Sequence, residues 1–164
     1  MKNVFLLLGS NLGDREKNLS RAIELIAEKT GEIAAFSGIY ETAAWGKTDQ
    51  PNFYNQAVEI ETELSSEKLL AELKKTEAEI GRKNAEKWAA RIIDIDIIFY
   101  GSEIYQSETL TIPHAFMQDR KFVLEPLSEI APDFVHPILG QTVKELSKSC
   151  ADNLDVVRIS DKRI

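Results

Sequence analysis

Apolar residues recur along the chain with two different periods, and the alternation between them predicts the order of elements. Asn3 to Leu8 is a short, almost continuous apolar run that reads as a buried strand. Asp14 is placed to cap a helix reaching about Lys29, because Leu19, Ala22, Ile23, Ile26 and Ala27 fall on one face of a 3.6-residue period. Gly31 is placed to end it. Glu32 to Thr42 reads as a second strand, and the loop from Ala43 to Asn52 carries Gly46, Asp49 and Pro51, all turn formers. From Phe53 to Glu63 the period drops to two: Val58, Ile60 and Leu64 share one side, while Phe53, Asn55 and Ala57 share the other. Ser65 can cap a second helix to about Ile80, striped by Leu69, Leu70, Leu73 and Ile80. Ile92 to Tyr100 is β-branched and strand-like.

The predicted order is β-α-β-β-α-β, an α+β class and ferredoxin-like core in which helices flank an antiparallel sheet. The remaining chain forms a C-terminal extension. A short hairpin runs to Ile112, and helices are expected over Phe122–Ile130 and Val143–Ser149, the latter with Thr142 and Glu145 spaced as a capping box. Asn153 to Ile159 is a candidate edge strand. No repeat, low-complexity tract or linker divides the chain. Its 164 residues therefore read as a single domain, 1–164.

Composition narrows the function. Apolar residues make up 43%, and no apolar run reaches the roughly 18–20 residues that cross a bilayer. A single cysteine, Cys150, allows no internal disulfide and no zinc spacing. The expected location is cytoplasmic, with no membrane association. The net charge of −7 argues against a nucleic-acid partner. One segment has the opposite sign: residues 82–91 read RKNAEKWAAR, in which Arg82, Lys83, Lys87 and Arg91 face only Glu86. A small anion suits such a patch better than a long polyanion. Nothing points to an obligate protein partner.

Asp94 and Asp96 stand in the middle of the last apolar strand. Residues two apart point to one side, with α-carbons roughly 6.5–7 Å apart, and Ile93, Ile95, Ile97 and Phe99 are expected on the other. Two acids there repel each other unless water or a cation separates them. Magnesium prefers oxygen ligands and often bridges one or two carboxylates to substrate phosphates. Arg91 immediately before them adds a phosphate-binding cation. A half-exposed strand with solvated acids is the alternative.

Glu77 falls about 80° from Leu69 at 100° per residue, within the apolar stripe. It either needs a partner (a ligand, an arginine or water) or marks the stripe edge. Trp45 with Phe53, and Trp88 with Phe122, could hold a flat ring or simply pack. Asn55, beside Phe53 on its strand face, adds an amide. Thr111, His114 and Arg120 offer a further phosphate grip, although a lone histidine is more often structural. Gly9-Ser10-Asn11-Leu12-Gly13 is not a Walker-type phosphate loop.

These stretches together resemble the 6-hydroxymethyl-7,8-dihydropterin pyrophosphokinase family of folate biosynthesis. The most specific is Lys87-Trp88-Ala89-Ala90-Arg91-Ile92-Ile93-Asp94-Ile95-Asp96, supported by residues 9–13, 49–55, 111–114 and 120–126. The resemblance implies pyrophosphoryl transfer from ATP to the pterin hydroxymethyl group, with AMP released. It implies two magnesium ions on Asp94 and Asp96, and Arg82 and Arg91 as catalytic cations. Glu77, Arg82, Trp88, Arg91, Ile97, Thr111, His114 and Arg120 match positions around ATP. Gly9, Thr42, Ala43, Trp45, Phe53, Asn55, Trp88, Asp94 and Phe122 match the pterin pocket. Departures are Ala43 for a frequent proline, Ala89-Ala90 for Gly-Pro, and Thr109 and Ala115 for an arginine and a tyrosine near ATP. They bear on nucleotide affinity and loop closure more than on the reaction. Two rivals are a non-catalytic ferredoxin-like ligand-binding domain and another magnesium nucleotidyl transferase.

Overall fold

The computed structural model describes residues 1–43, 50–81 and 92–160. Five strands line up as β5 (Asp94–Tyr100), β1 (Lys2–Ser10), β4 (Phe53–Thr62), β3 (Ile39–Thr42) and β8 (Val156–Ser160), while β2 (Glu32–Phe36) also pairs with β4. All these pairings are antiparallel. The expected ferredoxin-like order is present, with β8 as the predicted additional edge strand. Two short strands, β6 (Tyr105–Gln106) and β7 (Thr111–Ile112), form the expected hairpin.

Helices cover both faces. On the first, α1 (Arg15–Lys29) and α2 (Ser66–Ile80) bury Leu19, Ile23, Ile26, Leu69 and Leu73 against Val4, Leu6, Leu8, Val58, Ile60, Ile95 and Ile97. Both helices start where their caps predict: Asp14 accepts from the Lys17 N–H at 3.1 Å, and Ser65 accepts from the Lys68 N–H. On the second face, α3 (Lys121–Ile130) and α4 (Val143–Ser149) pack Val123, Leu124, Leu127, Val143 and Leu146 on Phe5, Leu7, Ala57, Ile98 and Phe99. The Thr142–Glu145 capping box opens α4.

Three local expectations are corrected. Glu32–Thr42 is two strands, because at Ser37 the chain leaves the regular ladder. The Ser37 hydroxyl accepts from the Ala57 N–H (3.0 Å), and its carbonyl accepts from the Gln56 amide (2.7 Å). Gly31 does not end α1 through a left-handed backbone. Thr30 is the cap, and its hydroxyl bonds the Ile26 carbonyl at 2.8 Å. Gly31 is needed for a close approach instead, since a Cβ there would lie 2.1 Å from the Glu61 carbonyl oxygen. Phe99 does not share a side with Ile93, Ile95 and Ile97. The β1–β5 register shifts between Phe5 and Leu6, so Ile98 and Phe99 both turn to the α3 side, and Phe99 meets Phe5 edge-on at 6.2 Å.

The Gly31 contact makes a stability prediction. Gly31→Ala forces a methyl into backbone that cannot retreat, and should cost roughly 1–3 kcal/mol. Urea unfolding should show this as a lower midpoint at unchanged m value.

Candidate functional site

β5 lies at the sheet edge, so alternate backbone N–H groups point away from the ladder. One of them, the Ile95 N–H, donates to Glu77 Oε2 of α2 at 2.7 Å. Glu77 is only 6% exposed, and its position in the apolar stripe is answered by backbone, not only by the ligand, arginine or water expected of it. The hydrogen bond ties α2 to β5 where the isoleucines pack inward. Asp94 and Asp96, half-buried, therefore project to the opposite side, the α3 side of the sheet.

On that side the apolar core ends at Gly9. The register runs Asp94, Gly9, Asn55 across three neighbouring strands. A Cβ on Gly9 would come within 3.0 Å of Asn55 Oδ1 and 3.5 Å of Phe53, so only glycine lets both side chains close over this point of β1. Asn55, 2% exposed, donates to Thr42 Oγ1 at 3.1 Å, which aims its carbonyl oxygen over Gly9. Thr42 pairs with Phe53. Ala43 follows Thr42, and Phe122 lies on α3 above this face. An aromatic ring and a fixed amide meeting over bare backbone suit a flat, polar heterocycle.

A cavity of about 430 Å³ adjoins the acids. It is lined by Glu77, Asp94, Asp96, Ile97, Thr111, His114 and Arg120, and also by Leu70, Lys74 and Phe116. Thr109 and Ala115, the two departures near ATP, are on its wall. Leu70, read in the sequence only as part of the apolar stripe, and Lys74, not singled out there, lie two turns and one turn before Glu77 on the same helical line. Arg120 sits 5.2 Å from the Phe116 ring and 5.9 Å from the Phe122 ring, a cation braced between aromatics. Burial lowers its pKa, while Asp96, Asp119, Asp152 and Asp94 pull it back up.

His114 is placed by the backbone, its N–H donating to the Ile98 carbonyl at 3.0 Å. Its Nδ1 accepts from the Phe116 N–H, which puts the ring proton of the neutral form on Nε2. Burial, then Arg120, lower its pKa below the ordinary histidine value, against an opposing pull from Asp94. His114 is therefore neutral at pH 7. The other histidine, His136, is buried away from the cavity and accepts from the N–H groups of Ile138 and Leu139.

The donor set fits magnesium. Among the described residues no group of three or more His, Cys, Asp or Glu forms a protein cage, and Asp94 and Asp96 supply a carboxylate pair. Magnesium is commonly held by such a pair together with water and substrate phosphate oxygens. Trp45, Arg82, Trp88 and Arg91 lie outside the described residues. Two residues missed in the sequence secure the start of β4. Asn11, 1% exposed, donates to Gln50 Oε1 (2.9 Å) and to the Pro51 carbonyl (3.1 Å). Arg15 bonds the Asn52 carbonyl at 2.8 Å and stacks 3.8 Å over Tyr54. The polar turn at residues 9–13 was their only signal. No described helix is long and apolar enough to cross a membrane.

Residues 5–132 match the family described as 7,8-dihydro-6-hydroxymethylpterin-pyrophosphokinase. A 2-amino-4-hydroxy-6-hydroxymethyldihydropteridine pyrophosphokinase of Aquifex aeolicus is 43% identical over 145 residues, covering 88% of this chain and 90% of the relative. Its counterpart in Haemophilus influenzae is 42% identical over 154 residues, covering 93% and 96%. Among solved structures, an HPPK-DHPS in complex with substrates superposes with a TM-score of 0.74 at 16% identity. The Plasmodium falciparum HPPK-DHPS with pteroate gives 0.73 at 18%. Each superposition covers 90% of this chain but only 43% and 42% of those longer chains, and the likeness supports the fold.

The lowered His114 pKa predicts a pH effect on stability. Below the ordinary histidine pKa of 6.5 the unfolded chain takes up a proton that the folded chain resists. Stability therefore falls as pH drops below that value, until the folded-state pKa is passed. His114→Gln should flatten the slope by up to about 1.4 kcal/mol per pH unit, read from urea unfolding between pH 5.5 and 7.

Proposed function

We infer the function from one premise: the chain belongs to the 7,8-dihydro-6-hydroxymethylpterin-pyrophosphokinase family. It is a magnesium-dependent enzyme of folate biosynthesis that transfers pyrophosphate from ATP to 6-hydroxymethyl-7,8-dihydropterin. The observation that carries the site assignment is the placement of Asp94 and Asp96. Across β1 they pair with Gly9 and Leu7, next to Asn55, and they line the cavity that holds His114 and Arg120.

The pterin binds beside Gly9, Asn55 and Phe53. Asn55 and Thr42 meet its polar edge, Ala43 and Trp45 form the rim, and Phe53 and Phe122 contact its ring. ATP occupies the cavity. Arg120, His114 and Thr111 bind its phosphates, and Glu77 and Ile97 line the nucleotide against β5. Arginine forks match phosphate oxygens, and the Nε2 proton of neutral His114 donates to one. By the family pattern, Trp88 and Arg91 would close over both substrates and exclude water, and Arg82 matches a position around ATP.

Asp94 and Asp96 would hold two magnesium ions, which when bound offset the triphosphate charge and polarise the phosphoryl group under attack. The hydroxymethyl oxygen bonds to the β-phosphorus, the bond from that phosphorus to the α–β bridging oxygen breaks, and AMP leaves with that oxygen. The hydroxyl proton passes to solvent, because alignment and charge neutralisation supply most of the acceleration. Some relatives carry this unit within a longer chain. The folic acid synthesis protein fol1 of Pneumocystis carinii is 41% identical over 92% of this chain and only 20% of its own length.

Incubation with ATP, Mg²⁺ and the pterin alcohol, followed by mass analysis, should yield AMP and the pterin diphosphate. Free pyrophosphate would point to a nucleotidyl transferase instead. Asp96→Ala should abolish turnover at every magnesium concentration, and full activity in that variant rejects the metal assignment. Arg91→Ala should lower kcat far more than pterin affinity, since its charge matters most in the transition state. Equal losses would reduce it to a positioning role.

A further inference from the structure

Helix α3 starts without a cap of its own. Arg120 occupies the capping position, and its side chain makes no hydrogen bond to the helix. The first helical N–H, on Lys121, is met from elsewhere in the chain: it donates to Asp152 Oδ2 at 3.0 Å. The other oxygen of the same carboxylate accepts from the Leu154 N–H at 3.0 Å, a local turn that fixes the Asp152 side chain. Asp152 is also among the acids whose charge acts on Arg120.

The segment then enters β8, where Arg158 bonds Glu129 in the last turn of α3 through Nε (3.0 Å) and Nη2 (3.4 Å). Glu129 also accepts from the Tyr40 hydroxyl at 2.7 Å and from the Gly38 N–H. Residues 152–158 thus grip α3 at both ends. The grip at the amino end is the consequential one, because Arg120, on the cavity wall, and Phe122, packed on the second core beside it, leave the chain in that turn.

We propose that Asp152 is a positioning residue for both substrates: a cap supplied across the fold that holds the first turn of α3, and with it Arg120 and Phe122, in working register. This rests on the assignment of those two residues to ATP and pterin. An Ala at this position loses both accepting oxygens, whereas Asn keeps one and so can still meet the Lys121 N–H, at the expense of the Leu154 contact and the charge.

Steady-state kinetics and melting curves on Asp152→Ala and Asp152→Asn, assayed well below the melting temperature, test the proposal. Asp152→Ala should raise the pterin KM and lower kcat by about fivefold each, the scale of one lost cap. Asp152→Asn, with one acceptor kept, should fall between the Ala variant and the parent, the partial rescue a cap predicts. A lower melting temperature with unchanged kinetic constants would make the contact merely structural and overturn the proposal. An Asn variant as impaired as the Ala variant would also overturn it, since a retained accepting oxygen would then give no rescue. Should Asp152→Ala fail to fold, Asp152→Glu keeps the charge but misplaces the oxygen: weaker pterin binding is expected, and unchanged binding refutes the cap. Arg120→Ala and Phe122→Ala in the same assay separate the two levels. If both are silent, the site assignment has failed; if both are impaired while Asp152→Ala is silent, only the cap has.

Discussion

A carboxylate on an edge strand's backbone holds this site together. β5 has a partner on one side only, and burying the Ile95 N–H without an acceptor would cost about 1–3 kcal/mol. Glu77 supplies the acceptor and so fastens α2 along the open edge. With α2 in place, Ile93, Ile95 and Ile97 can only point into the first core, and the parity of a strand sends Asp94 and Asp96 to the other face. The bulge at Ile98 then restores a double contribution to the second core through Ile98 and Phe99. One strand therefore seals two cores at one end and presents two acids at the other.

The absence of a side chain shapes that end. Leu7 packs under α3 and α4, but at Gly9, two residues on, the face is covered by Asn55 and Phe53 instead. The apolar core gives way there to Asn55, Thr42 and Phe53, from strands already held in register. Electrostatics then separates two kinds of ligand. The two acids repel each other, and Arg120, braced by aromatic rings, and His114 line the same cavity. That combination favours an anionic triphosphate brought in with its own divalent charge over a bare anion.

Elements whose signals are local were legible in the sequence: the capped helices α1 and α2, the period-two strand β4, the Thr142 capping box and the isoleucine–aspartate alternation. Each depends on neighbours within one or two turns. The rest depends on distant partners. The break at Ser37 comes from Gln56 and Ala57. The role of Gly31 comes from Glu61. The partner of Glu77 follows from β5 being an edge, and the side taken by Phe99 from a bulge that period-two alternation does not reveal. In the site, the acids and the phosphate-binding face could be derived from residue chemistry. The pterin came from family resemblance, because Gly9, Asn55 and Phe53 acquire their shared meaning only when β1 and β4 pair.

The most direct measurement is a crystal structure with magnesium, a non-hydrolysable ATP analogue and the pterin alcohol. The account predicts metal density on carboxylate oxygens of Asp94 and Asp96, bridging to the triphosphate, with the pterin ring beside Gly9 against Asn55. Carboxylates turned to bulk solvent, with nucleotide and metal bound elsewhere, would contradict it.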